Sequence, residues 1–564
     1  VLGRERARLQ SYLKVTGAEW IAVITLLIAA ASARLIGIRF GTLDMSLYAT
    51  AAARGGLPYN APVHPDEFFY VVRPLRMLVT GQLNPKFFEN PSFLIHLNFF
   101  TYLLTDAGAG YHADTWRGID ERQHAPFNLY LIGRVYSALG GLVAVAATYT
   151  AARGLCRHIG STPQTARYGG LAAALLVGVS LPMVQHAHYS TTSSLAAGFA
   201  AVAIAAALRS LWDQRAWLLP LAGAAAGMAA GCRYNAVIVA SVVGLVGLYL
   251  ISRASRQWWV ARRVLLAYAL IPIAFLLTTP HALFDTEFFI SQVRYILRHY
   301  VEGANLDYIT PYGLFFEVRY GALFGLGIPA VVLIGVGVVK GWRSGIRTII
   351  AIMAVYWVLY ALIVLRTVRP AHSDQLWVPI LPSLAIWAGV GGAEIIARLY
   401  AYRRLSVIAV IAVLVIVPLS FTVPLLRAFT LPDTRAEMAA WIQTRLPAGA
   451  RIHLNGPYNV PLDETRYRLS QNFGGDLVPL TTLQEAGVEY VVFSDAWYND
   501  EFRAREINSE SYRATLAAYL SSYDASVSQI ARIDRPSLIG DTWVMHTASV
   551  WHQPTIAVYV VLRD

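Results

Sequence analysis

The residues of this chain that could do chemistry gather in a few short runs. The run His64-Pro65-Asp66-Glu67-Phe68-Phe69-Tyr70, followed by Arg73 and Pro74, sets two adjacent carboxylates beside a phenol and a guanidinium. On a helix, Asp66, Tyr70 and Arg73 share one face at spacings of four and three, so a carboxylate could be oriented by the other two groups. An aspartate held in this way can act as general base toward an attacking hydroxyl, typically contributing about 100- to 10,000-fold in rate. A structural alternative stands beside it: Pro65 begins a surface helix, and Asp66 and Glu67 complement the positive end of its dipole. Pro74 should bend or end the helix within a turn or two, as suits a short surface element rather than a span.

A second run, Gln185-His186-Ala187-His188-Tyr189-Ser190-Thr191-Thr192-Ser193, carries two histidines. At a spacing of two they diverge on a helix and converge only on a strand, and no neighbouring partner completes a ligand set. They read better as hydrogen-bonding histidines at a membrane interface than as metal ligands. Arg233, in Cys232-Arg233-Tyr234-Asn235, interrupts two apolar stretches where an unpaired charge is costly. It is either a snorkelling side chain or a phosphate clamp. Arg366, Arg369 and Arg294 carry the same ambiguity.

The elements that must position these residues are membrane spans. Of 564 residues, 56% are hydrophobic and only 14% charged, and a soluble chain would carry about a quarter charged. Runs long enough to cross a hydrocarbon core of about 30 Å recur at 20–38, 133–153, 168–183, 193–211, 218–231, 236–252, 264–279, 321–339, 349–365, 376–397 and 405–426, which predicts about eleven spanning helices. The formal charge of +12 does not point to nucleic acid. Lys and Arg fall in alternate short connections: Arg4 to Lys14, Arg153 to Arg167, Arg209 and Arg215, Arg253 to Arg263, Lys340 to Arg347, and Arg398 to Arg404. By the positive-inside rule these are cytoplasmic, with the N terminus. The first span then reads as an uncleaved signal anchor of a multi-pass protein of the plasma (inner) membrane. Cys156 and Cys232 fall on opposite sides, so no disulfide is expected.

The fold class expected is therefore a polytopic α-helical membrane protein with a C-terminal extracytoplasmic α/β domain. The multispan region takes in 1–427, with a large outer loop over 39–132, and the soluble domain 428–564. Thr434 and Glu437 form a capping-box pattern for a helix running to about Leu446. Strands are predicted at 451–454, 489–493 and 556–562, with a helix around 511–520. The outer face thus collects the acidic pair, the histidine turn, the unexplained arginines and the tail domain.

The order of these features resembles the lipid-carrier-dependent glycosyltransferases of the C superfamily (GT-C), which include protein O-mannosyltransferases and the bacterial aminoarabinose transferase. The resemblance is carried by His64-Pro65-Asp66-Glu67 after the first span, Gly81 and Pro85, the Pro91-centred stretch, and Gly133-Arg134-Val135-Tyr136-Ser137-Ala138-Leu139-Gly140. It continues through His188-Tyr189 with Thr191, Thr279-Pro280 with Asp285, and the tail from Asp433-Thr434-Arg435 to Pro554 through Tyr559. It implies a sugar donor linked to a polyprenyl phosphate and an acceptor hydroxyl on a glycan, lipid or protein. By the same resemblance Asp66 is the catalytic base and Glu67 its neighbour or a ligand of the acceptor. Arg233 would meet the phosphate, with Tyr70, Arg73, His188, Arg366 and Arg369 as further candidates for substrate or lipid phosphate. Inversion at the anomeric carbon is the implied outcome. No cofactor is required by the pattern, although it leaves room for a divalent cation.

Two positions depart from the family pattern. Relatives often carry an acidic residue where this chain has Ser193, and an Arg-Tyr pair where it has Gln375-Leu376. A second reading follows from them: a non-catalytic accessory subunit of a larger membrane assembly that keeps the architecture without turnover. A transporter is a weaker reading, because paired broken spans are absent from the pattern and Asp and Glu are nearly absent from the spans.

Overall fold

The computed structural model describes residues 17–41, 64, 66–105, 107, 127–213, 215, 217–254, 257–302, 321–365, 373–400, 405–455, 459–472, 478–494, 527–533 and 556–561. Its helices, in chain order, are α1 (Gly17–Leu35), α2 (Glu67–Thr80), α3 (Phe93–Thr105), α4 (Phe127–His158), α5 (Pro163–Val179), α6 (Leu181–Gln185), α7 (Ser193–Ser210) and α8 (Leu218–Cys232). After a 3-10 turn (Tyr234–Val239) come α9 (Ala240–Arg253), α10 (Trp258–Thr278), α11 (His281–Phe284) and α12 (Thr286–Glu302). Then follow α13 (Ile328–Arg343), α14 (Arg347–Tyr360), α15 (Ser373–Trp377), α16 (Leu381–Tyr400), α17 (Leu405–Thr430) and α18 (Thr434–Arg445).

Among the described residues, 7 helices are long and apolar enough to cross a membrane, and they include α1, α4, α7, α10 and α17. The remaining predicted spans, at 168–183, 218–231, 321–339 and 376–397, coincide with α5, α8, α13 and α16. The protein is a mostly helical, multi-pass membrane protein with a C-terminal sheet.

Small residues let these helices approach backbone to backbone, the usual basis of association in lipid. A Cβ added to Gly198 of α7 would lie 2.6 Å from the carbonyl oxygen of Gly140 in α4. Where α5 stops at Ser180, its last carbonyls are met from other elements. The buried guanidinium of Arg34 donates to Val177 O (3.2 Å) and Gly178 O (3.1 Å), and Thr422 of α17 donates to Val179 O (2.7 Å). A cation at a helix C terminus also suits the dipole.

Contacts sort the helix ends into two sets. At one end, Glu19 of α1 pairs with Arg153 of α4, and Glu394 of α16 pairs with Lys340 and with Arg398, the two Glu394 pairs at 2.8 Å. These are basic residues from the alternate connections that the sequence places in the cytoplasm. At the other end lie the close of α1, the start of α2 and the turn over 186–192, all joined through Arg134.

The C-terminal sheet has five strands in the order β2-β1-β3-β5-β4. They are β1 (Arg451–Asn455), β2 (Arg468–Asn472), β3 (Tyr490–Ser494), β4 (Val527–Ile533) and β5 (Ile556–Val561), with a short helix α19 (Leu480–Glu485) before β3. Strand β1 lies parallel to β2 and β3, while β5 runs antiparallel to β3 and β4. Met438 and Ile442 of α18 pack with Ile452, Leu454, Val492 and Val558 to form its core. Sequence patterning finds β1, β3 and β5 but not β2, whose Arg-Leu-Ser-Gln-Asn is polar, or β4, an edge strand that is exposed along most of its length. The expected capping residue shifts by one: Asp433 caps α18, accepting from the Arg435 backbone N–H at 2.8 Å. The helix expected at 511–520 lies outside the described residues.

Candidate functional site

Helix α2 brings the acidic pair to the bundle. Its apolar face, Val71, Val72 and Leu75, packs against Tyr102, Leu129 and Tyr130. Past Pro74 the helix continues for less than two turns, within the expected limit, to Thr80, and Gly81, with a φ of 68°, makes a left-handed cap. A proline there removes the N–H that would have met Tyr70 O one turn back. Asn98 of α3 replaces that donor, its Nδ2 lying 2.7 Å from Tyr70 O.

The two carboxylates of the pair have different surroundings. Glu67 is fully buried and paired with Arg134, Nε to Oε1 at 2.8 Å and Nη2 to Oε2 at 3.1 Å. The backbone N–H of Ser190 also donates to Oε1, at 2.6 Å. Arg134 spends its remaining nitrogen on Ile38 O (2.8 Å) and Phe40 O (2.9 Å), and its guanidinium lies 4.1 Å from the centre of the Phe40 ring. Glu67 therefore clamps α1, α2, α4 and the histidine turn together. Both of its oxygens are committed to that task, so the geometry makes it a positioning group rather than a ligand of an acceptor.

Asp66 sits one residue before α2 and is partly exposed, and its carboxylate makes no capping hydrogen bond. Its backbone N–H donates to His64 Nδ1 at 3.2 Å. His64 in turn lies 4.6 Å, ring to ring, from Tyr189. The carboxylate is thus placed by backbone and left available.

A third acid, which motif reading passed over, faces this one. Burial and the Asp66 charge hold the Glu89 carboxyl above the usual carboxylate range, with Arg73 opposing them. Of the two residues expected to orient Asp66, Arg73 thus acts electrostatically on Glu89, and its guanidinium lies 6.0 Å from the Phe87 ring centre. Tyr70 is buried at 2% exposure, with its ring edge-on to Phe87 at 6.5 Å.

Arg233 caps α8 in an extended conformation (φ −145°, ψ 133°), which breaks the helix before the 3-10 turn. Its Nη1 donates to Ser193 Oγ at 2.7 Å and Gln375 Oε1 at 3.0 Å. Both residues that depart from the family pattern therefore converge on this arginine. Nε and Nη2 donate to no described residue, which leaves one edge of the fork for a ligand. Arg233 lines a cavity of about 210 Å³ together with Glu89, Asn90, Tyr234 and Asn235, and the rest of the wall is apolar, from Val237, Ile238, Val293, Ile296, Leu297, Ile363, Val364 and Leu376. The wall is braced by Tyr234 OH to Phe88 O (2.9 Å) and Tyr360 OH to Leu376 O (2.6 Å).

His188 is placed elsewhere. It is fully buried, stacks on Phe429 at 4.2 Å, and sets its ring nitrogens 2.8 Å from Val184 O and 2.9 Å from Ile36 O. Burial pushes its pKa down to about 4, against the two carbonyls that favour the protonated ring, and the ring braces the turn. Arg366 and Arg369 lie outside the described residues. Among the described residues no group of three or more His, Cys, Asp or Glu side chains could hold a metal ion.

No family model matches the chain, and no curated protein matches it. Among solved structures it is similar to ArnT, the aminoarabinose transferase, from Cupriavidus metallidurans. The structure bound to undecaprenyl phosphate matches at 16% identity over 96% of this chain and 98% of that one, with a TM-score of 0.46. The apo structure of the same protein matches at 17% identity over 91% and 96%, also with a TM-score of 0.46. The S. cerevisiae protein O-mannosyltransferase Pmt1-Pmt2 complex bound to the sugar donor matches at 19% identity over 51% of this chain and 36% of that one, with a TM-score of 0.30. The structures to which the chain is similar are thus glycosyltransferases of the GT-C superfamily, the group that its motif order resembles.

Proposed function

We propose that this chain is a membrane glycosyltransferase that moves a sugar from a polyprenyl phosphate to an acceptor hydroxyl at the extracytoplasmic face, with inversion. The observation that carries the reading is the free edge of Arg233 on an apolar-walled cavity whose polar rim includes Glu89, the acid coupled to Asp66. That combination suits an amphiphile with a phosphate head and an isoprenoid tail.

In the reaction, Asp66 takes the proton of the acceptor hydroxyl as its oxygen attacks the anomeric carbon from the side opposite the phosphate. The bond from the anomeric carbon to the phosphate oxygen breaks, and the electron pair leaves with the phosphate. Charge grows on that phosphate as the bond opens, so the Arg233 fork binds the transition state more tightly than the donor. Burial and Asp66 raise the pKa of Glu89, which favours a hydrogen bond from its carboxyl to a sugar or phosphate oxygen in the same cavity.

The test is release of polyprenyl phosphate from a polyprenyl-phosphate sugar by the purified full-length chain with candidate acceptors. Asp66→Asn should lower turnover by about 100- to 10,000-fold while the protein stays folded. Unchanged turnover would remove Asp66 from the mechanism. Absence of transfer by the unmodified chain with every acceptor, together with copurification of other proteins at fixed stoichiometry, would favour the accessory subunit instead.

A further inference from the structure

Arg233 is held at its cavity by neutral groups. Its Nη1 is fixed by a hydroxyl, Ser193 Oγ at 2.7 Å, and by an amide carbonyl, Gln375 Oε1 at 3.0 Å. Among the described residues no carboxylate is in ion-pairing distance of the guanidinium. Both acceptors are buried, and they come from distant segments, the first residue of α7 and the short α15, lying 40 and 142 residues from Arg233 in the chain. A buried cation in a membrane protein is costly, and a carboxylate would be the simplest relief. Here the dipoles of a serine and a glutamine orient the fork without cancelling its charge. Glu89 lines the same cavity but makes no ion pair with the guanidinium, and burial and Asp66 raise its pKa.

We infer that Ser193 and Gln375 are positioning residues that present Arg233 with its charge uncancelled, so that the cavity selects a phosphate-headed amphiphile over a neutral one with the same tail. This deepens the function proposed above and rests on its assignment of the phosphate to Arg233. A carboxylate in place of either residue would still fix the fork. It would supply an internal anion that competes with the ligand phosphate.

The experiment measures binding of two probes, undecaprenyl phosphate and undecaprenol, to the detergent-purified full-length chain. Gln375→Glu, which is isosteric, and Ser193→Asp should each weaken undecaprenyl phosphate by about tenfold or more, as expected for a charge pair formed beside the ligand. Undecaprenol affinity should stay within about twofold in both, because its head carries no charge to compete with that pair. Ser193→Thr keeps the hydroxyl and should bind both probes as the unmodified chain does. If Arg233→Gln loses undecaprenyl phosphate but Gln375→Glu does not, the positioning role is refuted and the phosphate site stands. If Arg233→Gln binds undecaprenyl phosphate normally, the phosphate assignment itself fails. Loss of both probes in Gln375→Glu would show a merely structural role and overturn the inference. Should Ser193→Asp fail to elute as a single species, Gln375→Glu decides the question.

Discussion

Adjacent residues of one motif, Asp66 and Glu67, have opposite fates because a helix start points its first two side chains into different surroundings. Glu67 turns inward to Arg134, and the pair is fully buried. Removing one partner of such a pair strands the other charge, at a cost of about 3–5 kcal/mol. Glu67→Gln should therefore lower the thermal midpoint in detergent markedly, and the double variant Glu67→Gln with Arg134→Met should be less destabilised than Arg134→Met alone. Independent, additive losses in that cycle would mean that the pair is not coupled. Sequence reading reached Arg134 and Glu67 as separate motifs but not their pairing, since nothing in spacing shows that residues 67 apart share a salt bridge. It passed over Glu89 altogether, although that acid directly precedes the Asn90-Pro91 stretch and lies in the same predicted outer loop. The signal was an acid in an apolar setting, and its meaning depends on Asp66, which only the fold brings near. Burial and Asp66 raise the Glu89 pKa. An acid with a raised native pKa favours the folded state below its unfolded pKa, and that contribution fades as pH rises through the native value. Glu89→Gln should thus match the unmodified chain at low pH and become increasingly more stable than it as pH rises above the ordinary carboxylate range. Parallel stability curves across that window would contradict the raised pKa.

Elements carry these residues, and their placement depends on how closely helices can cross. Helix α7 begins with Ser193, the acceptor from Arg233, and crosses α4, which carries Arg134. At their crossing a Cβ on Gly198 would stand 2.6 Å from Gly140 O, a contact with backbone that cannot yield without moving a helix. Gly198→Val should cost about 1–3 kcal/mol of stability and weaken phosphate-lipid binding through Ser193. Gly244→Ala is the control, because a Cβ there meets nothing within 4 Å. Equal thermal midpoints for the two variants would show that the crossing tolerates separation. Hydrophobic runs made the helices legible, because a lipid-facing helix must be apolar over its length. Less legible was α3, an apolar helix of 13 residues that is too short to read as a span and lies within the predicted outer loop. The donor that replaces the missing N–H of Pro74 was hidden too, because it is Asn98 of another helix.

For the molecule as a whole, the alternation of basic connections predicts two faces, and Arg153, Lys340 and Arg398, three of the residues expected on the inner one, pair with acids near helix ends. The chain leaves the bundle through Phe429, which stacks on His188 beside the clamp of Glu67 and Arg134; α18 begins at Thr434 and the sheet at Arg451. The sheet is therefore tethered at the end that carries Asp66, away from the Lys340, Arg398 and Glu394 cluster. If the positive-inside rule orients the bundle, Asp66, Arg233 and the sheet share the extracytoplasmic side. Both native cysteines are buried, so they give a quiet background for labelling. Gln82, just past α2, Thr465 in the sheet domain and Ser344 after α13 are each exposed. In spheroplasts, a membrane-impermeant maleimide should label Gln82→Cys and Thr465→Cys directly, and Ser344→Cys only after permeabilisation. The reverse pattern would invert the orientation, whereas labelling of Gln82→Cys and Thr465→Cys from opposite sides would break the link between the site and the sheet. The expected pattern matters for chemistry as well as topology. Under the proposed function, a donor with its phosphate at Arg233 would meet only acceptors that reach the same face, so sidedness would determine which hydroxyls Asp66 deprotonates.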